Sequence, residues 1–212
     1  MEPFIRSDQY NFIKMQTKIL VSGHSTANDV DVLNALRSLS IEKVLNLFSD
    51  ISDEQKQLLN PIVKIKDKED AGEFLIQLKP YVIPFRNITE QTIKKLFPKV
   101  KKLKVPSLEN IDLKETSYLG WKDKGSNKKY IVAERDNKLI GLQGTVKSAN
   151  KKGICTLCNR HEEVEMFISE TRATAQGTFI KRGNYICQDS QTCNQNITEL
   201  DKLNDFITLL KK

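Results

Sequence analysis

Four cysteines near the C-terminal end decide the fold, and they lie in two short stretches: Cys155-Thr156-Leu157-Cys158 and Cys187-Gln188-Asp189-Ser190-Gln191-Thr192-Cys193. The sequence contains only these 4 cysteines. Thiolates are soft ligands that Zn²⁺ binds tetrahedrally, and four of them complete its coordination shell without leaving a position for water. The spacing therefore predicts one structural zinc ion, held by Cys155, Cys158, Cys187 and Cys193.

Disulfide bonds and thiol redox chemistry are the alternative uses of these cysteines. Disulfides need an oxidising compartment, whereas residues 1–10 lack the apolar segment of a signal peptide, so we expect a cytoplasmic protein. A thioredoxin-like redox motif needs a βαβ unit, which the sequence around Cys155 does not indicate. His161 is a candidate substitute ligand, but four cysteines suffice, and we expect a surface histidine.

Composition describes a globular protein. The 212 residues, 39% hydrophobic and 29% charged, are enough for one large or two small domains. No apolar run approaches the length of a membrane span, so we expect no membrane association.

Positive charge is concentrated in the middle of the sequence. Residues 85–152 contain 17 Lys and Arg against 7 Asp and Glu, a formal charge of +10, whereas residues 1–84 and 153–212 carry −2 and −1. Such an excess attracts polyanions or an acidic protein surface, and contacts with phosphates would be salt-dependent. A merely solvated lysine-rich face is the alternative interpretation.

Helical periodicity dominates the first part of the chain. Apolar residues recur at helical spacing over Gln9–Val21 and Val30–Phe48, and Gly23 is expected to end the first of these helices. Ser52 is expected to open a third helix, because Gln55 three residues later completes a capping box.

Prolines and a cap define the rest of this helical region. Pro61 is expected to kink or split the third helix, Asp67 can cap a fourth, and Pro80 ends it. The segment from Pro80 to Pro84 disfavours further helix. We therefore predict an N-terminal four-helix bundle in residues 1–84 and a C-terminal domain in residues 85–212.

The C-terminal domain begins with a basic part, residues 85–150. Thr89 is expected to cap a short helix that Pro98 stops. Extended segments follow, joined by the turn signal Asp136-Asn137: Tyr118–Trp121, Lys129–Glu134 and Leu139–Val146. A β-hairpin or small meander is expected here.

Residues 151–212 are predicted to form a zinc finger. After the first cysteine pair come two predicted strands, Val164–Ile168 and Thr178–Ile186, then the second pair, then a helix that Thr198 can cap. A knuckle, hairpin and helix around one zinc form a treble clef, in which metal binding supplies folding energy to a small core. The predicted fold class is α+β.

Catalytic motifs are missing from the sequence. Gly141–Gly144 lacks the lysine and spacing of a P-loop, and the 2 histidines, His24 and His161, form no catalytic constellation. We therefore expect a protein that is not an enzyme, with a basic surface for RNA, DNA or another protein.

Five strings carry a resemblance to a known family: Lys101–Pro106 (KKLKVP), Ser117–Trp121 (SYLGW), Ser126–Val132 (SNKKYIV), Lys152–Asn159 (KGICTLCN) and Lys181–Ser190 (KRGNYICQDS). They are similar to strings of the FusB-type fusidic acid resistance proteins, which bind elongation factor G. Both cysteine gaps agree, and the resemblance covers essentially the whole chain, most strongly from Lys94 onward.

The resemblance implies a helical N-terminal domain and a four-cysteine treble-clef finger. Members of the family use the zinc domain to grip elongation factor G and promote its release from ribosomes on which fusidic acid has trapped it. The implied partners are elongation factor G and, indirectly or transiently, the ribosome, with no small-molecule substrate and a monomeric chain. The alternative is a zinc-finger RNA- or ribosome-binding protein without a role in drug resistance.

The resemblance also implies partner-binding residues around the finger and on the last helix: Ile154, Arg182, Tyr185 and Phe206. Ile154 stands where relatives have phenylalanine, so the apolar contact is retained but the ring is lost. Arg182 stands where relatives have lysine, so the positive charge is retained. Exposed aromatic residues beside a cation are typical binding hot spots. Phe206 also falls in an apolar helical stripe, where a core position is the alternative.

Overall fold

The computed structural model describes residues 1–172 and 179–211, and its helices and strands occupy separate parts of the chain. Two compact units are present, Met1–Ile83 and Pro84–Lys212. The first contains four helices: α1 (Ser7–Thr26), α2 (Val30–Leu45), α3 (Asp53–Leu59) and α4 (Lys68–Leu78). Within the described ranges, every helix is too short or too polar to cross a bilayer.

Capping residues set the start of the two short helices of the first unit. The Ser52 hydroxyl accepts a hydrogen bond from the Gln55 amide at 3.3 Å, and the Gln55 side chain accepts one from the Ser52 amide at 2.9 Å. The Asp67 carboxylate likewise accepts from the first amides of α4. Pro61 splits the third helical run, since α3 gives way to a 3₁₀ turn over Asn60–Lys64.

Helix α1 is longer than the sequence predicts. The expected end at Gly23 is wrong, because the helix continues to Thr26. A Cβ atom at Gly23 would lie 2.6 Å from Leu36 Cδ1 of α2. Gly23 therefore lies where the end of the Leu36 side chain packs against α1.

An apolar core fills the first unit, and its two ends are tied together. Fully buried aliphatic side chains come from each helical segment: Ile13, Leu20, Val44, Leu59, Ile62 and Leu78. Ile5 pairs with Val82 in an isolated parallel bridge, and its carbonyl accepts a hydrogen bond from the Ile83 amide at 2.8 Å. This unit is a self-contained helical fold.

The second unit is built on one antiparallel sheet of five strands in the order β1-β2-β3-β4-β5. Its elements are α5 (Glu90–Leu96), β1 (Tyr118–Lys122), β2 (Lys128–Arg135), β3 (Lys138–Ile154), β4 (His161–Arg172), β5 (Phe179–Cys187), α6 (Ser190–Asn196) and α7 (Asp201–Lys211). Asp136 and Asn137 form the β2–β3 turn, with φ values of 50° and 57°. Both residue types tolerate this left-handed conformation, as a two-residue hairpin requires.

Strand β3 connects the basic part of this unit to the finger. The strand crosses residue 150, the predicted end of the basic part, and ends at Ile154, next to Cys155. It is longer than the strand that the sequence predicts, Leu139–Val146. Its pairing with β4 shifts register between Ser148 and Lys152. The finger is consequently an extension of the sheet.

Helix α6 has no counterpart among the predicted elements, because seven residues are too few to show helical periodicity. It contains Cys193. Strands β4 and β5 agree with the two predicted finger strands and extend beyond the first of them. Thr178, at the predicted start of the second, lies outside the described residues.

The sheet carries a core on each face, because side chains alternate along a strand. One face packs against α5 and the segment that follows it, through Leu119, Trp121, Tyr130 and Val132 with Ile93, Phe97 and Leu103. The other packs against the finger and α7, through Tyr118, Ile131 and Ala133 with Phe167, Leu203, Phe206 and Ile207. The four cysteines belong to this second core.

Candidate metal centre and partner surface

The four cysteine side chains converge in one buried site. The Sγ atoms of Cys155 and Cys193 are 3.7 Å apart, as are those of Cys158 and Cys187, and all four sulfur atoms lie within 4.8 Å of one another. A tetrahedral zinc with bonds of about 2.3 Å has sulfur–sulfur edges of about 3.8 Å, whereas a disulfide requires about 2.05 Å. The donor set fits one structural zinc.

A tight turn after β3 presents the first pair of ligands. The Asn159 amide donates to the Cys155 carbonyl at 2.8 Å, and Asn159 adopts a left-handed φ of 54°. Two backbone amides, those of Leu157 and Cys187, donate to Cys155 Sγ at 3.4 and 3.3 Å. Such hydrogen bonds stabilise the thiolate form of Cys155, which is the form that binds zinc.

The second pair combines the end of a strand with the start of a helix. Cys187 closes β5, Asp189 caps α6, and Cys193 follows in α6. The Asp189 carboxylate accepts from the Thr192 amide at 2.7 Å. The five-residue gap between the cysteines is therefore the length of a helix cap plus most of a turn.

Crowding of the thiols in the absence of a cation lowers the pKa of Cys155 and Cys158 and raises that of Cys187 and Cys193. Hydrogen bonds from Cys158, then from Cys187 and Cys193, hold the pKa of Cys155 far below its usual range. The hydrogen bond to Cys155 raises the pKa of Cys187 and, likewise, the pKa of Cys193. A dication bound between the four sulfur atoms permits all of them to be thiolates.

The buried phenol of Tyr118 also fits an occupied metal site. Its hydroxyl has no hydrogen-bond partner among the described residues, although it lies beside Cys193 and Ser190. Burial, followed by the neighbouring Cys193, raises the pKa of Tyr118, so the hydroxyl remains a donor. A zinc-bound thiolate at Cys193 is the strong acceptor that this orphaned donor needs.

A buried ion pair between Lys129 of β2 and Glu165 of β4 lies next to the second pair of cysteines. Lys129 Nζ and Glu165 Oε1 are 2.9 Å apart, with 1% and 2% of their side chains exposed. The same ammonium donates to the carbonyls of Cys187 and Gln188 at 2.8 and 2.9 Å. These contacts hold the end of β5 in place.

Asn194 connects α6 to β1. Its Oδ1 accepts from the amides of Ser117 and Tyr118 at 2.7 and 3.1 Å, and its Nδ2 donates to the carbonyls of Tyr118 and Ser190, both at 2.9 Å. Sequence reasoning missed Tyr118, Lys129, Glu165 and Asn194 as parts of the site. The only signal for Asn194 is its place next to Cys193.

His161 does not join the metal centre. Its side chain is exposed, and the group of potential metal ligands found among the described residues contains only the four cysteines. The expectation of a surface histidine is confirmed.

Two of the predicted partner-binding residues are exposed beside the metal centre. Ile154 is 57% exposed and Tyr185 is 37% exposed. Their segments are hydrogen-bonded to each other, since the Thr156 amide donates to the Tyr185 carbonyl at 2.8 Å. The turn that carries Cys155 and Cys158 therefore fixes the backbone near both residues, and each presents an exposed apolar or aromatic side chain.

Arg182 lies apart from this surface. It is three residues from Tyr185 in a strand of unbroken register, so the two side chains leave opposite faces of β5. Its Nη1 atom is buried and lacks a hydrogen-bond partner among the described residues. The structure does not combine Arg182 and Tyr185 into one patch.

The expected partner contact by Phe206 is wrong. Its side chain is 1% exposed and packs on Phe167 of β4, with ring centroids 5.7 Å apart. The apolar periodicity of α7 places it in the core with Leu203, Ile207 and Leu210. An aromatic residue at helical spacing with other apolar residues is more often buried than exposed.

Models of two protein families match the chain. The family of the elongation factor G-binding protein N-terminal domain matches residues 4–86, and the FBP C-terminal treble-clef zinc-finger family matches residues 94–207. The chain is also similar to the solved structure of the fusidic acid resistance protein FusC, with 34% identity over 97% of each chain and a TM-score of 0.84. None of the curated proteins compared matches the chain. The α+β fold with a treble-clef finger and one structural zinc is confirmed.

Proposed function

The chain belongs to the FusB-type family of elongation factor G-binding proteins with a treble-clef zinc finger, and we propose that it binds elongation factor G. Binding promotes release of the factor from ribosomes stalled by fusidic acid. The protein thereby protects the drug target in the cytoplasm, acting as a monomer and without enzymatic chemistry.

The exposed side chains of Ile154 and Tyr185, each within two residues of a zinc-ligand cysteine, carry this proposal. Apolar and aromatic side chains next to a rigid element are typical anchors of protein interfaces, because little conformational freedom is lost on binding. The zinc-ligand turn and the hydrogen bond from Thr156 to Tyr185 supply that rigidity. The interaction is one of surfaces, with the metal as a structural support.

Binding to purified elongation factor G, measured by calorimetry, tests the first step. Tyr185→Ala and Ile154→Ala are each expected to weaken binding by tenfold or more, about 1.4 kcal/mol or greater. Ile76→Ala is the matched control, because Ile76 is an aliphatic side chain of the other unit with 73% exposure. Wild-type protein that forms no complex at micromolar concentrations would contradict the proposal.

Translation in vitro in the presence of fusidic acid tests the release step. Wild-type protein is expected to restore synthesis, and Tyr185→Ala to restore less in proportion to its lost affinity. Restoration that is unchanged by Tyr185→Ala and Ile154→Ala would separate drug protection from these two side chains.

A further inference from the structure

Two lysine-rich segments that are separate in sequence meet in the second unit. One runs through α5 to Lys104, and the other forms the end of the β1–β2 hairpin, from Lys122 to Lys128. The indole Nε1 of Trp121 donates to the Lys104 carbonyl at 3.0 Å. The first segment is thereby fastened beside the start of the second.

A cluster of three buried aromatic rings lies next to both segments. Phe97 packs edge-on against Trp121 and Tyr130, with ring centroids 6.1 and 5.2 Å apart, and the latter two stack at 5.4 Å. Each ring is close in sequence to exposed lysines. We define the lysine surface as Lys95, Lys99, Lys101, Lys102, Lys104, Lys124 and Lys128, all of which are exposed.

The charges of this surface are scarcely neutralised. Lys122 is left out because its ammonium lies 3.5 Å from Glu165, on the sheet face opposite Trp121. The seven lysines of the surface make no ion pair with any residue that the structure describes. Lys94 is left out of the surface because it pairs with Glu90 at 2.6 Å. Like charges gathered without counter-ions produce a field that favours an anionic partner.

The chemistry around these lysines favours phosphate over protein. Large exposed apolar side chains occur elsewhere in the chain, but none occurs among the described side chains of residues 84–153. The centre of a protein interface is depleted in lysine and needs apolar or aromatic anchors. Phosphate backbones, by contrast, attract a protein chiefly through the charge of lysine and arginine.

Base recognition is not available on this surface. Trp121, Tyr130 and Phe97 are buried, so no ring is free to stack on a base. Lysine contacts to phosphate position a protein without reading sequence. Binding on this surface would therefore depend on salt and not on base identity.

We propose that the lysine surface binds the phosphate backbone of RNA without base specificity. The choice of RNA over DNA rests on the proposed function, which takes the protein to the ribosome. The surface would add long-range attraction toward ribosomal RNA to the contact made with elongation factor G.

Fluorescence anisotropy with a labelled RNA hairpin, over a series of KCl concentrations, tests the proposal. Affinity is expected to fall steeply with salt, and Lys99→Gln/Lys101→Gln/Lys102→Gln to weaken binding at least tenfold and to reduce the log–log salt slope by about 2 to 3. The matched control is Lys18→Gln/Lys64→Gln/Lys68→Gln, which removes three exposed lysines from the first unit. The control is expected to bind RNA as the wild type does.

Three results would overturn the proposal. Equal weakening by the control would show attraction to net charge alone, tighter binding of an acidic polypeptide would assign the surface to protein, and tighter binding of a DNA duplex of equal length would remove the preference for RNA. Calorimetry with elongation factor G separates this proposal from the previous one. The lysine variant is expected to retain that affinity, and Tyr185→Ala to retain RNA binding.

Discussion

The two units are stabilised in different ways. The first has a continuous apolar core contributed by all four helices, together with the bridge between Ile5 and Val82. The finger part of the second has zinc-ligand cysteines within its core, and a buried ion pair and an amide clamp around them. The finger therefore depends on a metal and on exact polar partners, whereas the helical unit depends on apolar volume.

The largest expected effect comes from breaking the metal site. Cys155→Ser or Cys187→Ser should abolish zinc binding and unfold the finger, because structural zinc contributes about 10 kcal/mol or more to a folded finger. Elemental analysis and hydrogen exchange read out the two effects separately. Exchange in α1 to α4 should remain at the wild-type level. Zinc absent from freshly purified wild-type protein would refute this view of the finger.

Truncation of Phe206 tests how far the finger also relies on apolar packing. Phe206→Ala should destabilise the second unit by about 3 to 5 kcal/mol, since it leaves a cavity against Phe167. Tyr185→Ala should change unfolding free energy by less than about 0.5 kcal/mol, because its side chain is partly exposed. Denaturant melts of the two variants provide the comparison. A stable Phe206→Ala protein with impaired partner binding would restore Phe206 as a contact residue.

Sequence alone was informative where a local pattern has one physical meaning. The spacing of Cys155 and Cys158, the capping box at Ser52 and the turn at Asp136-Asn137 each depend only on nearby residues, and the structure contains the corresponding features. The expected helix end at Gly23 is wrong, and the neighbour of Gly23, Leu36, belongs to another helix that the local sequence does not show. The role of Lys129 was also hidden, because Glu165 becomes its partner only through pairing of the strands.

Removing one charge of the buried ion pair tests the polar support of the finger. Lys129→Met should destabilise the second unit by about 3 kcal/mol, because Glu165 and two carbonyls lose a buried donor. Lys129→Met combined with Glu165→Leu should recover part of this loss, since no buried charge then remains unpaired. Chemical denaturation measures both. A double variant that is less stable than Lys129→Met would mean that Glu165 stabilises the unit without Lys129, as its contact with Lys122 at 3.5 Å allows.

Tyr118→Phe has the smallest expected effect and separates the metal from the packing around it most cleanly. The change keeps the buried ring and removes only the hydroxyl beside Cys193. If that hydroxyl donates to the zinc-bound thiolate, zinc affinity should fall by about tenfold, as it does when outer partners of a metal ligand are lost. Tyr130→Phe is the matched control, because Tyr130 is also buried but belongs to the core on the opposite face of the sheet. Competition with a chromogenic chelator measures both affinities. Equal zinc affinity of the two variants would mean that Tyr118 contributes only packing. The finger would then depend on apolar packing, as the helical unit does, to a greater extent than its polar contacts suggest.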